Sequence, residues 1–105
     1  MIRIFAKKHE ETKMKKWFLY LIRCKNGRLY TGITTDVERR FAEHTSNDKK
    51  GAKYLRGKAP LTLVMKKKIG SRSMALKIEA KVKKLPKIKK EMFVDGKIKV
   101  REIGK

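Results

Sequence analysis

The run Trp17-Phe18-Leu19-Tyr20-Leu21-Ile22-Arg23-Cys24-Lys25-Asn26-Gly27-Arg28-Leu29-Tyr30-Thr31-Gly32 opens with six apolar residues and then turns back on itself. Asn26-Gly27 is a strong short hairpin signal, because both central residues of a type I′ turn need positive φ. The apolar residues from Trp17 to Ile22 are continuous rather than alternating, which predicts a central strand covered on both faces. A symmetric hairpin about Asn26-Gly27 pairs position 20 with 33 and 23 with 30, so Tyr20 and Tyr30 are not directly opposed. They differ by an even number of residues and can still share one side of the sheet, unless a bulge alters the parity.

Downstream, Thr35-Asp36-Val37-Glu38 fits a capping box with Thr35 as N-cap, and the helix it opens runs to about Thr45. Val37 and Phe41 define its buried stripe; at about 100° per residue Arg40 and His44 border that stripe, while Arg39 points to solvent. Residues 46 to 60 read as a polar, Gly- and Lys-rich loop, and Leu61 onward as a third strand. After Gly70, Ser71 or Ser73 can cap a second helix that ends at or before Pro86. Met74, Ala75, Ile78, Val82 and Leu85 form its apolar stripe, with Lys77, Lys81 and Lys84 on the far side and Glu79 at the border. A short basic helix over Ile88 to Phe93 and an Asp95-Gly96 turn follow. The expectation is an α+β domain: a central three-stranded antiparallel sheet (strands near 17–23, 28–32 and 61–68) flanked by helices near 36–45 and 73–85. Residues 1–13 read as an N-terminal extension of no assigned role, with Met14 a candidate start, 14–93 as the domain, and 94–105 as a basic C-terminal tail.

Size and charge narrow the partners. A chain of 105 residues has room for one hydrophobic core. Its 31 Lys and Arg against 10 Asp and Glu leave a net charge of +21, a density that points to a polyanion. With 40% hydrophobic residues the chain can still build a core, so a folded basic domain is expected rather than a wholly disordered basic tail. Six consecutive apolar residues fall far short of the roughly 20 that span a bilayer. The charged N-terminus offers no secretory apolar region, so a cytoplasmic location is expected. Cys24, the single cysteine, excludes an internal disulfide and, with only His9 and His44 to assist, a four-ligand zinc site; it reads as a bystander.

Glu79 stands out by its surroundings. Residues 49 to 90 carry sixteen Lys and Arg and one acid, which is Glu79. A lone carboxylate in such a field stays ionised and would repel a polyanion unless a divalent cation lay between them. An i,i+4 pair with Lys83 is the simpler alternative. Taken singly, Tyr20, Tyr30 and His44 read as packing residues and Arg40 as a surface or ion-pair arginine.

Together these residues resemble the GIY-YIG nuclease family. Phe18-Leu19-Tyr20 is similar to the first tripeptide, keeping only its tyrosine, and Tyr30-Thr31-Gly32 to the second, with Thr for Ile. The family places an arginine ten residues after the second tyrosine, where Arg40 stands. Some members add a histidine one turn later, the position of His44, and the metal-binding glutamate lies on a helix after a third strand, as Glu79 does. The resemblance covers roughly Trp17 to Phe93. In length and in its Gly-Ala-Lys-Tyr segment (51–54) the chain is most similar to small stand-alone bacterial members akin to the N-terminal domain of the excision-repair nuclease subunit. It departs from the pattern in lacking a late asparagine, near whose place Glu91 stands, and in having Ile33 where repair nucleases can have lysine.

The resemblance implies a one-metal phosphodiester hydrolysis, with Tyr20, Tyr30, Arg40, His44 and Glu79 converging on one concave surface. Glu79 would hold one Mg²⁺ or Mn²⁺ and Arg40 would stabilise the transition-state phosphate. Tyr20 would serve as base once its pKa, ordinarily about 10, is lowered. Tyr30 would orient water or a phosphate oxygen, and His44 would share the proton transfer. Lys49, Lys50, Lys53, Arg56, Lys58, Lys66, Lys67 and Lys68 would bind backbone phosphates without reading bases. The implied function is a DNA endonuclease, with DNA repair or recombination as its setting and a protein partner supplying specificity. The alternative is a non-catalytic nucleic-acid-binding module, either a degenerate nuclease or an RNA-associated basic protein.

Overall fold

The computed structural model describes residues 15–46 and 51–104. The expected extension over 1–13, the candidate start Met14, and Lys49 and Lys50 of the expected phosphate-binding set lie outside the described residues. Three strands, β1 (Trp17–Arg23), β2 (Leu29–Thr34) and β3 (Thr62–Gly70), form an antiparallel sheet in the order β2-β1-β3. Among the described residues the helices are α1 (Val37–Thr45), α2 (Arg72–Lys83), α3 (Lys87–Val94) and α4 (Val100–Ile103), with a 3₁₀ turn at Lys53–Leu55.

The apolar run at Trp17–Ile22 is therefore the middle strand, and its period of two divides the core. Leu19 and Leu21 pack on one face with Ile78 and Val82 of α2 and Phe93 of α3. Tyr20 and Ile22 pack on the other with Val37 and Phe41 of α1 and Leu55 of the 3₁₀ turn. A strand buried on both sides has no solvent face to supply polar residues, hence the unbroken hydrophobicity.

The hairpin register differs by one from the symmetric expectation: Tyr20 lies opposite Gly32 and Ile22 opposite Tyr30. Its loop has three residues. The Cys24 N–H donates to the Arg28 carbonyl and the Gly27 N–H to the Cys24 carbonyl, with Gly27 at φ 85°. The Asn26 side chain adds a bond from the Arg28 N–H. This is the arrangement in which a glycine bulge follows a tight turn. The extra residue matters to the site. Directly opposed residues share a face, so the observed register puts Tyr20 and Tyr30 on the same side; the 20–33 and 23–30 pairing would have put them on opposite sides, so they share a face through the extra loop residue and not, as expected, through their even separation alone.

Helix α1 is capped one residue later than expected: Asp36, not Thr35, accepts from the Arg39 N–H at 3.1 Å. Ser71 caps α2 by accepting from the Met74 N–H. Met74, expected on the apolar stripe, is half exposed. Arg23 makes a two-pronged ion pair with Glu91 of α3, at 2.8 and 2.7 Å, and also donates to the Gly27 carbonyl, tying α3 to the hairpin loop. The segment read as a basic tail is folded over 98–104. Ile98, Val100 and Ile103 pack on the Leu19–Phe93 cluster, and Lys81 Nζ donates to the Gly104 carbonyl. Its alternation of apolar and basic residues is that of a segment with one buried side.

Candidate active site

Tyr20 is the centre of the site. It is 2% exposed, and its ring lies over Gly32 across the β1–β2 ladder, where any Cβ would overlap the ring and hydroxyl. That glycine is required by space rather than by φ. The phenolic oxygen is 2.9 Å from Nε2 of the buried His44, which α1 brings over this face. The other imidazole nitrogen, Nδ1, accepts from the Ala52 N–H at 3.0 Å. Tyr30, from β2, completes an aromatic cluster, with ring centroids 6.4 Å from Tyr20, 5.5 Å from His44 and 5.9 Å from Tyr54.

Electrostatics set the protonation states. Burial, followed by the neighbouring Tyr30, pushes the Tyr20 phenol well above its ordinary value; the charge and hydrogen bond of Arg40 oppose this, and Glu79 adds a small push upward. In the free protein Tyr20 is therefore a protonated phenol. Burial and then the positive Arg40 lower the His44 pKa to about 4, with Glu43 partly offsetting them, so the imidazole is neutral at pH 7. Burial works against the Arg40 charge, but hydrogen bonding to Glu43 and proximity to Tyr20 outweigh it, and its pKa rises. Arg40 Nη1 donates to Glu43 Oε1 at 2.9 Å. Arg39, exposed as expected, takes the other carboxylate oxygen of Glu43 at 3.1 Å.

The structure thus brings together four of the five expected catalytic residues, Tyr20, Tyr30, Arg40 and His44, on one face of the sheet. Glu79 arrives differently. Its helix α2 covers the opposite face through Ala75, Ile78 and Val82, and Glu79 sits on the helix flank with its side chain mostly covered. Its charge is the last and smallest of the influences on the Tyr20 phenol, so the carboxylate stands apart from the other four. The simpler pairing also occurs: Lys83 Nζ is 3.5 Å from Glu79 Oε2.

Among the described residues, no three His, Cys, Asp or Glu side chains gather as a metal cage. The donor at hand is one hard carboxylate, Glu79, with its side chain mostly covered. That set fits a cation such as Mg²⁺, which is commonly held by one or two carboxylates and completes its shell with water and substrate phosphate.

The basic residues divide by location. Lys53, Arg56 and Lys58 lie in the segment beside Tyr54, with Lys58 Nζ 4.7 Å from the Tyr54 ring centre. Lys66, Lys67 and Lys68 lie on β3, across β1 from Tyr30, and Lys66 is paired with Glu38 at 2.7 Å. Sequence reasoning missed a second basic surface. A cleft of about 410 Å³ is lined by Arg28, Leu29, Tyr54, Lys87 and Lys90. A shallower one of about 260 Å³ adds Tyr30, Thr31 and Lys83. The two share Leu29, Tyr54 and Lys90, making one basic groove from Tyr30 along the outer side of β2 to α3. The Gly-Ala-Lys-Tyr segment was the signal that could have pointed to Tyr54; nothing in sequence placed α3 beside β2.

Comparison with known proteins agrees with this geometry. The GIY-YIG catalytic domain profile matches residues 16–91. A UPF0213 protein of Cronobacter sakazakii is 59% identical over 85 residues, 81% of this chain and 87% of that one. The UPF0213 protein YhbQ of Escherichia coli K12 is 58% identical over 81 residues, 77% of this chain and 79% of that one. The solution NMR structure of the UPF0213 protein BH0048 from Bacillus halodurans superposes with a TM-score of 0.51 at 42% identity, covering 84% of this chain and 92% of that one. GIY-YIG domains are nucleases that generally use divalent metal ions, and no described helix is long and apolar enough to cross a membrane. With the tyrosine pair, the arginine and the histidine on one face of a β2-β1-β3 sheet, the chain belongs to the GIY-YIG family.

Proposed function

We propose that the protein is a divalent-metal-dependent endonuclease that hydrolyses phosphodiester bonds of DNA, with Tyr20, Tyr30, Arg40, His44 and Glu79 as its working residues. The observation that carries this reading is the buried Tyr20–His44 hydrogen bond, with Arg40 and Tyr30 against it, opening onto a basic groove. Arg40, held charged, is suited to bind and stabilise the scissile phosphate. Tyr30, in contact with the buried cluster and lining the groove, would orient an attacking water or a phosphate oxygen. Tyr20 lies deepest and serves as the base only where neighbouring positive charge brings its phenol within reach of neutral pH. Glu79 would hold Mg²⁺ or Mn²⁺. That ion, when bound, supplies neutralisation of the charge that develops on the leaving oxygen. The lysines and arginines of the groove and of the 53–58 segment would grip backbone phosphates without base readout, so binding depends on salt far more than on sequence. DNA repair or recombination as the setting rests on the resemblance to the repair nuclease domain.

The Glu79–Lys83 pair favours the second reading, a binding module in which Glu79 has no metal role. Incubating the purified protein with supercoiled, single-stranded and branched DNA in Mg²⁺, Mn²⁺ or EDTA separates the two. Glu79→Ala should abolish metal-dependent cleavage while binding in EDTA stays equal or tightens, since a negative charge near the DNA is lost. Intact cleavage by Glu79→Ala would remove Glu79 from the mechanism. Absence of any cleavage by the wild type would leave the binding module as the function.

A further inference from the structure

His44 stands between two polar neighbours, and one of them dictates what it can do to the other. The Ala52 backbone N–H points at Nδ1 from 3.0 Å. An amide N–H can only donate, so Nδ1 must present its lone pair. A neutral imidazole carries one proton, which must then sit on Nε2, 2.9 Å from the Tyr20 oxygen. We infer that the turn at 51–55 locks His44 in the Nε2–H tautomer, making it a hydrogen-bond donor to Tyr20 rather than an acceptor of the Tyr20 proton, with the Ala52 amide as the positioning group.

This replaces the shared proton transfer expected of His44. Both groups that approach the Tyr20 oxygen, His44 and Arg40, are donors. The phenol's own hydrogen is thereby turned away from both, and a phenolate formed there would already have its hydrogen bonds in place. The groups around the imidazole are Tyr20 from β1, Tyr30 from β2, and Arg40 and Glu43 from α1, while the 51–55 turn presents a backbone amide. None of these but Tyr20 competes for Nε2. Protonating Nδ1 would set two hydrogens face to face across the Ala52 contact.

The inference rests on the nuclease reading only for its effect on cleavage; the tautomer itself is independent of it. Ala52 offers an unusually clean test. Its φ of −64° and ψ of 133° are those of proline, and it follows a glycine. Its carbonyl, which accepts from the Leu55 N–H, survives the change. Ala52→Pro therefore removes the single N–H that holds Nδ1. Imidazole ¹⁵N shifts of the full chain read the result. In the wild type, in Ala52→Gly and in Tyr20→Phe, Nδ1 should resonate as the unprotonated nitrogen and Nε2 as the protonated one. In Ala52→Pro both should move toward averaged values as the other tautomer becomes populated. Where cleavage is measurable, Ala52→Pro should slow it about tenfold at neutral pH as the Nε2–H donor is partly lost, while Ala52→Gly should not. A wild-type Nδ1–H, or a tautomer that follows Tyr20→Phe instead of Ala52→Pro, overturns the inference. A wild type inert toward DNA would sink the nuclease reading, and the NMR measurement would still decide this one.

Discussion

Gly32→Ala is the smallest change that should disable the site. A Cβ at residue 32 would lie 2.9 Å from Cε1 of Tyr20 and nearer still to Cζ and the hydroxyl, where carbon atoms prefer about 3.5–4.0 Å. The far end of the ring must therefore move by roughly 1 Å. Tyr20 is enclosed at 2% exposure, so that movement repacks the core, which costs about 1–3 kcal/mol. A shift of that size also breaks the 2.9 Å bond to His44, worth about 1 kcal/mol. Reduced freedom of the unfolded chain returns about 0.4–1 kcal/mol. The net destabilisation is about 1–3.5 kcal/mol, read as a drop in urea midpoint at constant slope, or in Tm by roughly 5–20 °C. Cleavage should fall by about a hundredfold at a temperature where the variant remains folded, because a reacting group misplaced by about 1 Å costs that much. The check is a double-mutant cycle with Tyr20→Leu, which removes the ring end that the added methyl group would strike. In that background Gly32→Ala should cost less than about 1 kcal/mol. An equal penalty in both backgrounds would place the strain in the backbone of β2 and refute the reasoning.

Two further outcomes follow from the charged residues. Lys87→Ala with Lys90→Ala should weaken binding of unrelated duplexes and flatten the log K against log salt slope by about 2, whereas Lys67→Ala with Lys68→Ala should do less; fluorescence anisotropy across salt measures both, and equal losses would discount the β2-side groove. The Glu91 pKa is lowered, first by its hydrogen bond to Arg23, so the pair stabilises above the unfolded pKa of about 4.3 and the stabilisation is lost as pH falls through the lower folded value. With both side chains about a third exposed, about 1 kcal/mol should disappear on acidification below about pH 5 in urea titrations, and Glu91→Gln should show little of that dependence.

Local signals carried the strands and helices. The unbroken Trp17–Ile22 run announced a central strand because a strand covered on both faces has no place for polar alternation. The α1 periodicity separated Arg40 from Arg39 because 3.6 residues per turn puts neighbours on different sides. Folding of 98–103 was legible only as weak alternation, since short segments become helical through the surface they cover.

Tertiary structure decided what no local pattern contains. The three-residue hairpin loop, one residue longer than the Asn-Gly signal implies, put Tyr20 and Tyr30 on the same face, because register depends on closing hydrogen bonds and a slip of one reverses every side chain. The Ala52 amide reaches His44 across a contact invisible to composition or periodicity, and it sets which imidazole nitrogen is a donor. Helix α2 carries Glu79 on the far face of the sheet, and α3 lines the groove beside β2, through packing on Leu19 and Leu21 that sequence distance does not encode. Residue types and spacing determined which groups were present. Their directions were set by long-range contacts, because a hydrogen bond or an ion pair is defined in three dimensions and the chain is read in one.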